Sequence, residues 1–193
     1  MRRAHWLLPV VWMALILVLS SDTGSAAHTR SALLPILRAL LPWATPPQLD
    51  AIHGLVRKGA HVAEYAILAA LWFRALVRGR GLGARAGAWS AFAIALAWAG
   101  LDELLQSWQI SRTGSAADVA IDAAGAAAAL AAARRGWRVA ADAATAVLLW
   151  IAAVGGAVLL AANALAGAAS GALWLTTPAA ALGLLARRRR VRR

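Results

Sequence analysis

The sequence predicts an all-α, polytopic helical membrane protein with about six transmembrane helices and with both termini in the cytoplasm. Hydrophobic residues make up 62% of the 193 residues, and charged residues make up 15%. A soluble domain is typically about 45–50% apolar and about 25% charged. The excess of apolar side chains indicates that the chain contacts lipid as well as its own core.

Six apolar stretches have a length suited to crossing a bilayer. An α-helix needs about 20 mostly apolar residues to span the hydrocarbon core. Many of the residues in these stretches are small, which favours close packing between neighbouring helices. The predicted spans cover residues 5–21, 59–77, 86–106, 116–133, 141–161 and 168–186.

The distribution of basic residues predicts the orientation. If the N-terminus lies inside, 15 of the 20 lysines and arginines fall in cytoplasmic segments, as the positive-inside rule requires. The net charge of +12 therefore fits a role in topology, and nucleic-acid binding is not predicted. The chain has no cysteine, which excludes disulfides, thiolate metal sites and cysteine nucleophiles.

The first apolar stretch has a second interpretation. Its basic start at Arg2 and Arg3, its short apolar run and the small residues of 20–27 also fit a cleavable secretory signal peptide. Cleavage would leave the orientation of the other spans unchanged, because the next span still enters the membrane from outside.

The predicted outer loop, residues 22–58, contains two helical signals. Apolar residues between 33 and 41 predict a short helix that lies in the membrane interface. Thr45 precedes Pro46 and stands three residues before Gln48, which is the pattern of an N-cap with a capping-box partner. A helix is therefore expected to begin near Pro46, outside the membrane, and to continue through the second span.

Polar residues of the second, third and fourth spans are predicted to share one depth. Ionisable residues cost about 2.5–3.5 kcal/mol each at the centre of a span, so they usually face a cavity or a partner. A rise of about 1.5 Å per residue brings these residues to the boundary of the outer leaflet. The predicted cluster consists of Arg57, Lys58, His61, Glu64 and Tyr65, then Asp102, Glu103 and Gln106, then Arg112, and finally Asp118 and Asp122.

A purely structural interpretation of this cluster stays open. Asp118 stands three residues after Ser115, which is a capping-box spacing at a helix start. Lys58 can extend its charge to the interface, and Asp102 and Glu103 can neutralise nearby bases. An ion-pair network that holds three helices together is therefore the alternative to a binding site.

The polar residues form blocks with a recognisable order. The blocks are Arg57-Lys58-x-x-His61-x-x-Glu64-Tyr65, Asp102-Glu103-x-x-Gln106, Arg112, Asp118 and Asp122-x-x-Gly125. Together they resemble the VanZ-like family, and Trp12 with Ser20-Ser21 is similar to that family's opening pattern.

This resemblance covers residues 1–133 and implies a four-helix domain. Residues 134–193 add two further Ala-rich predicted spans and a basic tail. The resemblance implies a multi-pass protein of the bacterial cytoplasmic membrane. Through the name of the family, it also implies a link to resistance against the lipoglycopeptide antibiotic teicoplanin. It implies a class and a location, but no reaction.

The preferred function is binding of a cell-envelope component. The ligand would be a lipid-linked phosphate, a cell-wall precursor or an amphiphilic antibiotic. Arg57, Lys58 and Arg112 would meet its anionic head group through charge-assisted hydrogen bonds. The spacing of the carboxylates does not demand a metal ion, and the residues imply no particular cofactor.

Two other functions remain as alternatives. One is an intramembrane enzyme, although the chain has no G-x-S-x-G elbow, P-loop or H-E-x-x-H motif. The other is a proton-coupled transporter, because chains of Asp, Glu and His occur in proton relays. The catalytic candidates of an enzyme would be His61, Glu64, Asp102, Glu103 and Asp122.

Overall fold

The helical class is confirmed by a computed structural model, which describes residues 4–21, 26–108 and 115–191. Within these ranges the chain consists of helices joined by short turns, without a β-strand. The helices are α1 Ala4–Ser20, α2 Ala26–Leu40, α3 Pro46–Arg74, α4 Ala84–Ser107, α5 Ala116–Arg134, α6 Trp137–Trp150, α7 Gly156–Leu165 and α8 Leu173–Val191.

Two π-helical turns lengthen the apolar helices. Ala75–Gly79 continues α3, and Ile151–Gly155 joins α6 to α7 without a break. A π turn adds one residue to a helical repeat, so the side chains beyond it change their angular position while the helix continues.

Within the described ranges, four helices are long and apolar enough to cross a membrane. These four cover Pro46–Gly79, Ala84–Ser107, Ala116–Arg134 and Trp137–Leu165. His5–Ser20 is also apolar but shorter. The chain is therefore a helical membrane protein, whereas the total of six spans and the orientation of the termini stay predictions.

The expected start of α3 near Pro46 is confirmed. The backbone N–H of Thr45 donates to Gln48 Oε1 at 2.8 Å, and the Thr45 hydroxyl donates to the same oxygen at 3.1 Å. Gln48 thus satisfies the backbone donor of the N-cap residue, as a capping-box partner does. α3 begins at Pro46 as a result, well before the apolar part of the helix.

The first of two compact units consists of Met1–Arg30 and His53–Ala140. Its core lies where α3, α4 and α5 meet, and α4 contributes a stripe of alanines spaced three or four residues apart. Because alanine side chains are short, the neighbouring backbones approach closely along this stripe. The buried alanines of the stripe are Ala88, Ala91, Ala95 and Ala99.

The second unit consists of Ser31–Ile52 and Ala141–Arg193. Part of the predicted outer loop therefore packs with the C-terminal helices. Asn163 of α7 is fully buried; its Oδ1 accepts from Trp43 Nε1 at 2.7 Å, and its Nδ2 donates to the Leu40 carbonyl at 3.1 Å. These two hydrogen bonds satisfy a polar side chain that would be costly to bury alone.

Candidate functional site

One face of α3 carries polar residues from the surface of the first unit into its core. Lys58, His61 and Tyr65 recur at intervals of three and four residues, so they lie on the same side of the helix. The Lys58 side chain is 59% exposed and that of His61 is 21% exposed, whereas Tyr65 is fully buried. The face therefore changes from a hydrated charge to a buried hydroxyl over about 10 Å of helix.

Asp102 accepts hydrogen bonds from three parts of the first unit. Its Oδ2 accepts from the Ser20 hydroxyl of α1 at 2.9 Å, from the Tyr65 hydroxyl of α3 at 3.3 Å and from Gln106 Nε2 at 3.0 Å. Asp102 is only 2% exposed. These donors compensate the cost of burying the carboxyl group, and they fix the C-terminal end of α4 against α1 and α3.

Glu103 joins α4 to the start of α5. Its Oε2 accepts the backbone N–H of Ser115 at 2.7 Å, while Ser115 Oγ accepts the N–H of Ala117 at 3.2 Å. The sequence spacing pointed to Asp118 as the capping-box partner of Ser115, but Glu103 takes that role from another helix. The Asp118 carboxylate instead lies 3.9 Å from Lys58 Nζ.

Asp122 and His61 face each other across the contact between α3 and α5. His61 Nδ1 lies 3.8 Å from Asp122 Oδ2, which is too long for a hydrogen bond. Asp122 is 2% exposed, and neither its Oδ1 nor His61 Nδ1 has a hydrogen-bond partner among the described residues. This pair therefore retains unused hydrogen-bonding capacity inside the protein.

The distance between α3 and α5 is determined at Gly125. A Cβ atom at this position would lie 2.6 Å from the Val62 carbonyl oxygen, so only glycine allows the two backbones to come this close. Gly125 stands one turn along α5 from Asp122, and Val62 is adjacent to His61. The close approach therefore holds the two ionisable side chains opposite each other.

The cluster is predominantly acidic. Its bases in the described part are Lys58, half-buried Arg57 and half-buried His61. Glu64 is also half-buried, and the charges of His61, Asp102 and Asp122 act on it. In the part of the chain that the structure describes, no three such groups are arranged to hold a metal ion. The carboxyl groups are Glu64, Asp102, Glu103, Asp118 and Asp122.

The structure brings together most of the predicted site residues. Those of α3, α4 and α5 converge as expected, but Arg112 lies outside the described residues. The predicted site did not include Ser20, which donates to Asp102, or Trp12, whose Nε1 donates to the Glu64 carbonyl at 2.9 Å. Their only sequence signal was the similarity of the first span to a family pattern.

Comparison with protein families gives a match over the part of the chain that contains the cluster. The family model described as VanZ/LLP1 matches residues 5–138, which is well over half of the chain. The chain belongs to the VanZ/LLP1 family. No curated protein and no solved structure matches it. The VanZ/LLP1 segment contains every polar residue of the cluster, whereas α7 and α8 lie beyond it.

Proposed function

We propose that this VanZ/LLP1 protein binds an amphiphilic component of the bacterial cell envelope at the outer leaflet of the cytoplasmic membrane. The candidate ligands are a lipid-linked phosphate, a cell-wall precursor and a lipoglycopeptide antibiotic. Their common chemistry is a lipid chain and an anionic group, and the cell-wall precursor and the antibiotic also carry hydroxyl and amide donors. The polar cluster would bind the head group, and the bilayer would take the chain.

The main support for this proposal is the contrast between two buried carboxyl groups. Asp102 accepts three hydrogen bonds, whereas Asp122 Oδ1 has no partner among the described residues. A buried polar atom that lacks a hydrogen bond costs about 1–3 kcal/mol. A ligand hydroxyl or amide that donates to Asp122 would recover this energy, so Asp122 is suited to ligand contact and Asp102 to structural support.

The charges of the cluster determine how such a ligand would be oriented. Its acidic interior repels a phosphate or carboxylate, so the anionic group belongs at the rim. Lys58 is exposed there, and its distance of 3.9 Å from Asp118 is too long for a hydrogen bond. Lys58, with Arg57 and Arg112, would bind the anionic group through charge-assisted hydrogen bonds while neutral donors reach His61 and Asp122.

Ligand-dependent thermal unfolding tests this proposal. Purified protein in detergent is heated with a polyprenyl phosphate or with teicoplanin, and ligand at 100 times Kd should add about 2.7 kcal/mol of stability. Lys58→Ala removes a charge-assisted hydrogen bond and should weaken binding about tenfold or more. Asp122→Asn should weaken the binding of teicoplanin, which carries hydroxyl and amide donors, because the Asn side-chain amide has only one acceptor atom.

Arg74→Ala is the matched control, since Arg74 is an exposed base at the other end of α3. It should bind both ligands as the wild type does. If neither ligand stabilises the wild type, and Lys58→Ala and Asp122→Asn melt lower without ligand, the cluster is an ion-pair network and the proposal is wrong.

An intramembrane enzyme is the second candidate, and the His61–Asp122 pair favours it. A histidine paired with a carboxylate is a common general base, and catalytic hydrogen bonds are often long before substrate binds, so the separation of 3.8 Å is compatible with this role. Incubation with a polyprenyl phosphate or polyprenyl diphosphate, followed by mass spectrometry, separates the two functions. An enzyme would form a product that His61→Gln abolishes while binding persists, whereas a binding protein would return the lipid unchanged.

A further inference from the structure

A groove runs between α7 and α8 within the second unit. It has a volume of about 570 Å³ and an almost entirely apolar lining. One wall is formed by the helix that continues from Trp150 through Ala157 to Ala161, and the other by α8, with Ala181, Leu185 and Arg188. The alanine side chains of the first wall are short, and the groove occupies the space that larger side chains would fill.

Close contacts beside the groove hold its two walls together. A Cβ atom on Gly156 would lie 2.1 Å from Thr177 Oγ1, and one on Gly183 would lie 3.2 Å from Leu149 Cδ2. The two helices therefore pack directly against each other at the glycines. The groove is a stable feature of this contact, because the walls cannot close over it without displacing these side chains.

The length of the groove matches one leaflet of a bilayer. From Trp150 to Ala161 the helix rises about 16 Å. Half of a hydrocarbon core is about 15 Å thick. Neighbouring side chains are also exposed, with Val158 at 62% and Leu148 at 67%. One lipid chain can therefore lie along the full length of the groove, in contact with apolar side chains throughout.

Arg188 is the one charged residue among the described residues that line the groove, and it lies at one end of it. The Arg188 guanidinium lies 5.9 Å from the centroid of the Trp150 ring, and the run of arginines to which Arg188 belongs favours the level of the lipid head groups. Arg187 forms an ion pair with Asp142. Among the described residues no carboxylate pairs with Arg188, so its charge remains available to an anion.

We propose that this groove binds one acyl chain of an anionic phospholipid, whose phosphate contacts Arg188. The length of the groove, its apolar lining and the guanidinium of Arg188 at one end each match one part of that molecule. This site is independent of the proposed function, because it lies in the second unit and beyond the matched VanZ/LLP1 segment.

Native mass spectrometry in detergent tests the proposal by titrating phosphatidylglycerol against phosphatidylcholine with the same acyl chains. The wild type should prefer phosphatidylglycerol. Arg188→Gln should lower its apparent affinity about fivefold, since one interfacial arginine contributes modestly to anionic lipid binding. Arg188→Lys should keep the preference. Ala157→Leu, which fills the groove, should weaken the binding of both lipids.

Arg189→Gln is the matched control, because Arg189 belongs to the same arginine run but does not line the groove. It should bind both lipids as the wild type does. The proposal is overturned if the wild type binds the two lipids equally, if Arg189→Gln has the effect of Arg188→Gln, or if inorganic phosphate competes as well as the lipid. It is also overturned if Ala157→Leu dissociates a dimer, since a second copy of the chain would then occupy the groove.

Discussion

The close approach of α3 and α5 predicts a large effect for a single added methyl group. Gly125→Ala places a Cβ 2.6 Å from the Val62 carbonyl oxygen and 3.0 Å from Val62 Cγ1. Ordinary contact begins at 3.4 Å, so the helices must separate by about 0.8 Å. A gap of this size removes about a quarter to a half of the dispersion energy of each contact that it opens.

The magnitude follows from two opposing contributions. Overpacking a well-packed interface costs about 1–3 kcal/mol, and the upper part of this range, about 2–3 kcal/mol, applies here because the clash is with a backbone oxygen. Alanine recovers at most about 1 kcal/mol through its higher helix propensity. We therefore expect a net loss of about 1–2 kcal/mol, which changes the ratio of folded to unfolded protein about 5–30-fold. The separation also moves Asp122 away from His61, so ligand-induced stabilisation should decrease in the same variant.

Equilibrium unfolding in mixed micelles measures this loss, and Gly100→Ala is the matched control. Gly100 also lies inside a long apolar helix, but a Cβ there would meet nothing within 4 Å. Gly100→Ala should therefore unfold as the wild type does or slightly later. A Gly125→Ala protein with unchanged stability and unchanged ligand response would refute the argument that this glycine determines the α3–α5 distance.

The same unfolding assay tests two hydrogen-bond networks. Asp102→Ala leaves the hydroxyls of Ser20 and Tyr65 without their acceptor, so we expect a loss of about 3 kcal/mol or more. Ser20→Ala removes only one donor and should cost about 1 kcal/mol; equal losses in the two variants would contradict the network. In the second unit, Asn163→Leu leaves the Trp43 N–H unpaired and should cost about 1–3 kcal/mol. An Asn163→Leu protein as stable as the wild type would show that this hydrogen bond has no net effect.

The sequence predicted the helices well because their signals are local. Long apolar runs indicated the four helices that can cross a membrane, and Thr45 with Gln48 indicated the start of α3. Capping depends on residues a few positions apart, and membrane length depends on composition within about 20 residues. The polar residues of the three helices were also found in this way, since i, i+3 and i, i+4 spacing places residues on one helix face.

The partners of these polar residues were decided by the tertiary structure. Ser20 and Asp102 are 82 positions apart, and Trp43 and Asn163 are 120 apart, so no local pattern connects them. The same holds for Ser115, whose backbone N–H bonds to Glu103 of another helix although Asp118 has the capping-box spacing. A hydrogen bond forms with the acceptor that packing brings within about 3 Å, and helix packing is set by contacts distributed over the whole unit.

The sequence by itself therefore determined that the chain is a helical membrane protein with a polar cluster on three of its helices. Only the tertiary structure decided that Asp102 Oδ2 accepts three hydrogen bonds while Asp122 Oδ1 accepts none from the described residues, because these contacts depend on neighbours from other helices. The two aspartates look alike in the sequence. Their difference arises from the close packing at Gly125 and from the hydroxyl that α1 contributes through Ser20.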